Sequence, residues 1–312
     1  MTAIEDSTQS APAISVQNLS KSYGDFQVIR DLQLKVEQGA IHGLVGLNGS
    51  GKTTTLECLL GLQRYNGGEV NLLGYKPEHI YQSRGRIVAI FDSPSLNPNL
   101  TVRQSLQHAR LLCEQPKRRF KEVESLLGIE KFSRFKIKNL SLGNKRRASI
   151  AQALIGNPDL VILDEPFNGL DAGGVDDVLE LILRFNQEYG STFLLSSHQL
   201  PYLEQVCSHI AILHDGEIKL SDSKQSLLQQ TTTQLLLRTS QLKQAEQLLT
   251  TQTDVEVLSS DSTNTLQLAL LDTEPSAVNA FLVNGGIPVD ELILQRASLE
   301  NLFRQTTRDV SP

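Results

Sequence analysis

The sequence predicts an α/β protein: a buried parallel sheet with an antiparallel β subdomain and a helical insertion, followed by a small α+β domain of ferredoxin-like order. Three observations carry that prediction. An apolar strand runs into a glycine-rich loop and then a helix across residues 40–60, two further apolar strands recur at 160–163 and 192–196, and the order becomes β-α-β-β-α-β beyond residue 234.

At 312 residues the chain exceeds one compact domain of ordinary size, which fits a large unit followed by a smaller one. Residues 1–12 are polar, with acids in place of a basic patch and no apolar stretch, so they read as a loose tail and not as a secretory signal. From 14 to 39 short apolar–polar alternations, such as Ile14-Ser15-Val16 and Asp31-Leu32-Gln33-Leu34-Lys35-Val36, suit antiparallel strands with one solvated face. Ala40-Ile41-His42-Gly43-Leu44-Val45 is a buried strand, and the helix formers at 54–60 follow its glycine loop. Residues 102–153 show helical spacing in Leu106, Leu111 and Leu112, then Val123, Leu126 and Leu127, so a helical subdomain is expected over about 97–157. Its basic run, Lys117-Arg118-Arg119-Phe120-Lys121, reads as a solvated face. The strands at 160–163 and 192–196 are β-rich and bounded by polar residues, as buried parallel strands are.

The polar, unpatterned tract at 229–234 marks a boundary, dividing a domain at 13–228 from one at 229–312. Beyond it the pattern gives strands at 235–239, 255–259, 265–271 and 289–294 and helices at 241–249 and 275–283. An amphipathic piece, Leu299-Glu300-Asn301-Leu302-Phe303, is expected to dock back on that sheet.

Composition narrows the function classes. Hydrophobic residues at 39% and charged ones at 21% exclude a disordered or fibrous chain. With 35 acidic against 29 basic residues and a formal charge of -6, the chain lacks the basic footprint of a nucleic-acid binder. Cys58, Cys113 and Cys207 are far apart with no CxxC pair, so they read as reduced thiols. No apolar run approaches the roughly 20 residues needed to span a bilayer, so a membrane role would pass through a partner.

Gly46-Leu47-Asn48-Gly49-Ser50-Gly51-Lys52-Thr53-Thr54 matches G-x-x-x-x-G-K-[ST] between a strand and a helix, where a phosphate loop must sit. Glycines let backbone N–H groups turn inward at a positive helix end, Lys52 would reach β- and γ-phosphates, and Thr53 would bind Mg²⁺. Asp164 and Glu165 end an apolar strand, where charged carboxylates are costly unless a cation or proton transfer employs them. Asp164 suits a Mg²⁺ position, and Glu165 could orient and deprotonate a water. Standing alone, such a pair could equally face water; beside a phosphate loop it points to chemistry.

With Leu140-Ser141-Leu142-Gly143-Asn144-Lys145, Asn168-Gly169-Leu170-Asp171 and Ser196-Ser197-His198 added, residues 14 to about 228 resemble the nucleotide-binding subunit of ABC transporters, a P-loop NTPase fold. The added segments resemble that family's signature loop, D-loop and switch histidine. The resemblance implies ATP and Mg²⁺ as ligands and a head-to-tail dimer with a second copy or a paralogous ATPase subunit. The phosphate loop of one subunit (Gly46, Asn48, Gly49, Ser50, Gly51, Lys52, Thr53 and Thr54) would face Ser141 and Gly143 of the other, with Asp171 of the D-loop also at the nucleotide. Glu165, His198 and Lys52 would be the catalytic set, His198 bonding the γ-phosphate, and Tyr23 would stack on adenine. A separate transmembrane permease is implied, with this subunit peripheral at the cytoplasmic face of the membrane. Ser141 stands where a helix begins, a position suited both to capping that helix and to gripping a phosphate.

Two positions depart from the family pattern. Asp92 stands where most members have the Q-loop glutamine, an acceptor-only group that could still face Mg²⁺ or a water. Leu142 and Asn144 replace the usual first glycine and the glutamine of the signature. Together these features are similar to ATPases of the bacitracin and lantibiotic export type. The C-terminal part resembles the small accessory domains of such exporters, where a structural or dimer-stabilising cap is the plain reading. A soluble ATPase acting on ribosomes or DNA fits less well, because the chain has one cassette, no sustained heptads and an acidic balance. The presence of Lys52, Asp164, Glu165 and His198 disfavours a non-hydrolysing regulator.

Overall fold

Alternating side chains make Ile14–Tyr23 (β1) and Phe26–Val36 (β2) an antiparallel pair in which Ile14 faces Val36. Gly67–Leu72 (β4) joins the other edge of β1, giving the order β2-β1-β4. In this computed structural model the described residues are 11–93, 96–113, 119–229, 234–260, 264–271, 273–295 and 298–308. Most of the expected tail, Pro94 and Ser95 of the loop after Asp92, Lys117 and Arg118 of the basic run, and residues 230–233 of the boundary tract lie outside them. Two units emerge, one up to Lys224 and one from Gln225 onward.

The first unit is organised by a six-stranded sheet. Its strands are Ile41–Val45 (β3), Ile87–Ile90 (β5), Leu160–Asp164 (β6), Thr192–Ser197 (β7), His209–His214 (β8) and Glu217–Ser223 (β9), in the order β5-β6-β7-β3-β8-β9. All neighbours are parallel except the β8–β9 hairpin. Every residue of β3, β6 and β7 is buried, which explains their mainly apolar text. Lys52–Leu59 (α1) packs against β6 and against β2 and β4, so one core runs from the antiparallel sheet into the parallel one. Ala172–Tyr189 (α5) and Leu200–Val206 (α6) pack on β7, α5 through Val178, Leu181, Ile182 and Phe185 at helical spacing.

Strands β4, β5, β8 and β9 and helices α5 and α6 occupy stretches to which the sequence pattern above assigns no element. For β8–β9 a signal exists in Asp215-Gly216: both have positive φ, 49° and 78°, as a two-residue hairpin turn requires. Gly216 cannot be replaced cheaply, because a Cβ would stand 2.2 Å from the Val28 carbonyl of β2.

Val102–Leu112 (α2), Phe120–Leu126 (α3) and Leu142–Leu154 (α4) form the helical insertion and pack on one another, with α4 also against β5. A capping box between Thr101 and Gln104 starts α2, and Ser141 caps α4. Buried Glu124 on α3 is held by Arg103 of α2 and by the Ser133 hydroxyl at 2.7 Å, which ties the insertion together.

The second unit contains Gln234–Arg238 (β10), Leu242–Leu249 (α8), Val255–Ser260 (β11), Thr265–Leu270 (β12), Pro275–Asn284 (α9) and Glu291–Gln295 (β13). Its antiparallel order β11-β12-β10-β13 is the ferredoxin-like arrangement that the β-α-β-β-α-β pattern predicts. Leu235, Leu237, Leu266, Leu268 and Leu270 face Ala245 and Leu249 of α8 and Val278 and Leu282 of α9. Lys224–Gln229 (α7) spans the division between units, and Leu299–Arg308 (α10) buries Leu299 and Leu302.

His42 of β3 is buried beside His209 of β8, their rings stacked at 5.8 Å, and its Nε2 has no hydrogen-bond partner among the described residues. Desolvation first, and the charge of His209 second, push its pKa from an ordinary 6.5 down to about 3. Between those values the unfolded chain binds the extra proton, so stability falls as the pH drops from 6.5 towards 3. Urea midpoints across this range should decline, and His42→Leu should flatten the decline; an unchanged slope would remove His42 as its cause.

Candidate functional site

The loops that follow β3, β5, β6 and β7 all open at the carboxyl ends of parallel strands, where ligands of open α/β sheets bind. Register places Asp164 beside Ser196, and Val45 beside Ser197, so the phosphate loop, the acid pair and the histidine segment meet across three adjacent strands.

The loop turns through Gly49 and Gly51, both at positive φ. Gly46 is required for close approach: a Cβ there would lie 2.4 Å from Ser50 Oγ and 2.6 Å from the Leu213 carbonyl. Asn48 and Gly49 are exposed at the crest, whereas Ser50, Gly51 and Lys52 are buried. The Ser50 hydroxyl is buried without a hydrogen-bond partner among the described residues, an open valence inside the cradle. Lys52, at the start of α1, donates Nζ–H bonds to the carbonyls of Gly46 at 2.8 Å and Leu47 at 3.2 Å, and lies 3.4 Å from Glu165 Oε1. Thr53 and Thr54 follow it in the first turn, Thr53 exposed and Thr54 half-buried.

Thr53 Oγ1 donates to Asp164 Oδ2 at 2.8 Å, and the Ser196 hydroxyl donates to the other Asp164 oxygen. Glu165 accepts from the Ser197 hydroxyl at 2.9 Å and faces His198 Nδ1 at 3.0 Å. Its backbone lies at φ 47°, a left-handed conformation unusual for glutamate, and its N–H bonds the Ser196 carbonyl at 2.9 Å. The strained turn aims the carboxylate back over Lys52 and away from the sheet core.

These groups fit a magnesium nucleotide. The glycine loop admits close backbone approach, Lys52 supplies a buried cation, and the Ser50 hydroxyl awaits a partner. Thr53 and Asp164 set two oxygen donors side by side, the type of ligand that Mg²⁺ takes. Glu165 holds a carboxylate 3.4 Å from the Lys52 ammonium.

The remaining expected residues lie further out. Asp92, just beyond β5, accepts from Arg146 Nη2 at 2.8 Å and from Asn168 Nδ2 at 3.2 Å, so its carboxylate is held by an ion pair. Ser141 accepts from the Asn144 N–H at 3.3 Å as the cap of α4, and Gly143 lies beside Leu170. Exposed Leu142 packs its side chain over Gly169. Asp171 caps α5, accepting from the Gly174 N–H at 2.9 Å. Tyr23, half-exposed at the end of β1, carries the Lys21 ammonium 4.4 Å from its ring centre.

Arg146 and Gln199 are unexpected members of this neighbourhood. Gln199 donates to Asn168 Oδ1 at 3.0 Å, and its N–H bonds the Ser197 hydroxyl at 3.0 Å. Nothing in the sequence marks Arg146, the middle of three consecutive basic residues at 145–147; its burial appears only when α4 packs against β5.

The ABC transporter family pattern matches residues 29–168. The chain is 30% identical to the bacitracin transport ATP-binding protein of Bacillus licheniformis, over 93% of this chain and 95% of that one. To the methionine import ATP-binding protein of Clostridioides difficile it is 31% identical, over 70% and 71%. Among solved structures, an ABC transporter ATP-binding subunit superposes with a TM-score of 0.65 at 28% identity, covering 70% of this chain and 92% of that chain. A bacterial ABC transporter cassette solved as a dimer gives 0.62 at 25%, covering 67% and 98%.

Gly46→Ala tests the cradle. The added Cβ must displace Ser50 or the Leu213 backbone, so MgATP affinity measured by calorimetry should fall by at least about tenfold, near 1.4 kcal/mol; unchanged affinity in a folded variant would refute the fit.

Proposed function

The chain belongs to the ABC transporter family as its ATP-binding, ATP-hydrolysing subunit, and from that premise we propose that it powers an exporter of the antibiotic or peptide type through a separate membrane permease. The likeness to the bacitracin transport protein supports this choice, because it runs over almost the whole chain and so takes in the second unit, whereas the methionine import protein matches 70% of it. No helix among the described residues is long and apolar enough to cross a membrane, so the transport path is assigned to the permease.

In this reading Lys52 exchanges its bonds to the Gly46 and Leu47 carbonyls for the β- and γ-phosphates of ATP, with the loop N–H groups and the Ser50 hydroxyl closing around them. Thr53 and Asp164 would hold Mg²⁺, which would supply positive charge against the phosphates. Glu165 orients the attacking water and takes its proton. His198 points its second ring nitrogen at the γ-phosphate while Nδ1 stays against Glu165, and Tyr23 offers adenine the ring face not used by Lys21. A second copy, or a paralogous ATPase subunit, presents its Ser141 and Gly143 to the γ-phosphate from across a head-to-tail interface, with Asp171 shaping the loop at that interface. Closure on ATP and release after hydrolysis then drive the permease.

The observation that carries this reading is the convergence of Lys52, His198 and the Ser197 hydroxyl on Glu165, one residue from the Thr53–Asp164 pair. Glu165→Gln removes the base and keeps the shape. MgATP should still bind, the variant should elute as a dimer in MgATP, and turnover should fall by about 10² or more. Hydrolysis at a near-normal rate would rule out Glu165 as the base, and failure to recover a membrane protein with the tagged chain would count against the transport role.

A further inference from the structure

A continuous chain of hydrogen bonds links the helical insertion to Glu165. Arg146 of α4 is 2% exposed, and its guanidinium spans the boundary to the parallel sheet, donating to the Phe91 carbonyl at 2.8 Å and to Asp92 Oδ1 at 2.8 Å. Asn168 donates to the same Asp92 oxygen at 3.2 Å and accepts from Gln199 at 3.0 Å. The Gln199 N–H bonds the Ser197 hydroxyl, and that hydroxyl donates to Glu165 Oε2 at 2.9 Å. The chain runs from α4 through the end of β5 and the loop after β6 to the segment that closes β7, and returns from there to Glu165 just beyond β6.

We propose that Arg146 is a positioning residue, and that its ion pair with Asp92 is a latch coupling the placement of α4 to the orientation of the Glu165 carboxylate. An amide at position 92 would be a weak partner for a buried guanidinium, whereas a carboxylate holds it by charge as well as geometry. The same helix begins at Ser141 and Gly143, so a shift of α4 that brings those residues to a nucleotide also pulls on Arg146. Asn168 and Gln199 pass that displacement to Ser197, which selects the rotamer of Glu165. The latch therefore sets the rate of hydrolysis and leaves the hold on ATP to the phosphate loop. This inference rests on the reading of Glu165 as the base.

The test is steady-state ATP hydrolysis by the intact chain, with MgATP affinity measured separately by calorimetry. Asn168→Ala, Arg146→Met and Asp92→Asn should each lower kcat by about tenfold, the scale of a misplaced reacting group. KM and the MgATP Kd should stay within about twofold, a split that general loss of structure would not produce. Because the three residues act in series, Asn168→Ala combined with Asp92→Asn should be no slower than the slower single variant. Should Arg146→Met fail to fold, the more accessible Asn168→Ala decides. The proposal is overturned if Asn168→Ala hydrolyses at the unaltered rate while Glu165→Gln is inactive. It is equally overturned if Asp92→Asn raises the Mg²⁺ concentration needed for half-maximal rate, since Asp92 would then serve the metal and not the latch. A Glu165→Gln variant that hydrolyses normally removes the underlying assignment and the latch with it.

Discussion

Two carboxylates stand side by side at the end of a strand that is buried along its whole length, Asp164 at 2% and Glu165 at 8% exposure. Charge held there is costly unless each oxygen is met by a donor or a cation. The donors come from elsewhere in the chain: Thr53 and Lys52 from α1, Ser196 and Ser197 from β7, and His198 just beyond it. Satisfying two acids thus draws the glycine loop, the acid pair and the 196–198 segment into one place, and any arrangement that separated them would leave a charge stranded.

Sheet order is the means by which this happens. β6, β7 and β3 are neighbours, and their parallel register brings the residue after each strand to the same edge. Slipping one strand by a single residue would turn Asp164 or Ser196 to the opposite face. The helices packed on these strands hold the register, so the apolar core and the polar site depend on each other. The left-handed backbone of Glu165 belongs to the same design: the chain is bent sharply where the strand ends, and the bend turns a carboxylate out of the core towards Lys52.

The helical insertion and the second unit are separate additions to that centre. The insertion has its own internal tie in Arg103, Glu124 and Ser133, and it meets the parallel sheet through α4 and β5. Its buried Arg146 brings a charge into that contact. The second unit closes its own core with leucines of β10 and β12 packed on α8 and α9, in ferredoxin-like order. The likeness to the bacitracin transport ATP-binding protein covers 93% of this chain and so extends into both units.

Local chemistry determined what could be read directly from the residues. The phosphate loop is contiguous, its glycines and lysine fall at fixed spacing, and the acid pair ends an apolar run, so both are written in short words. Short β-rich runs and helical spacing, set apart by turn residues, likewise disclosed the second unit's order. Short strands such as β5, with four residues, and the edge hairpin β8–β9 carry too little pattern to declare themselves, and only the completed sheet gives them partners. The pairing of Arg146 with Asp92, 54 residues apart, is a matter of tertiary structure alone. In the sequence one is an ordinary helical arginine and the other an odd acid in a loop; packing α4 against β5 removes the arginine from water and makes the carboxylate its counter-charge.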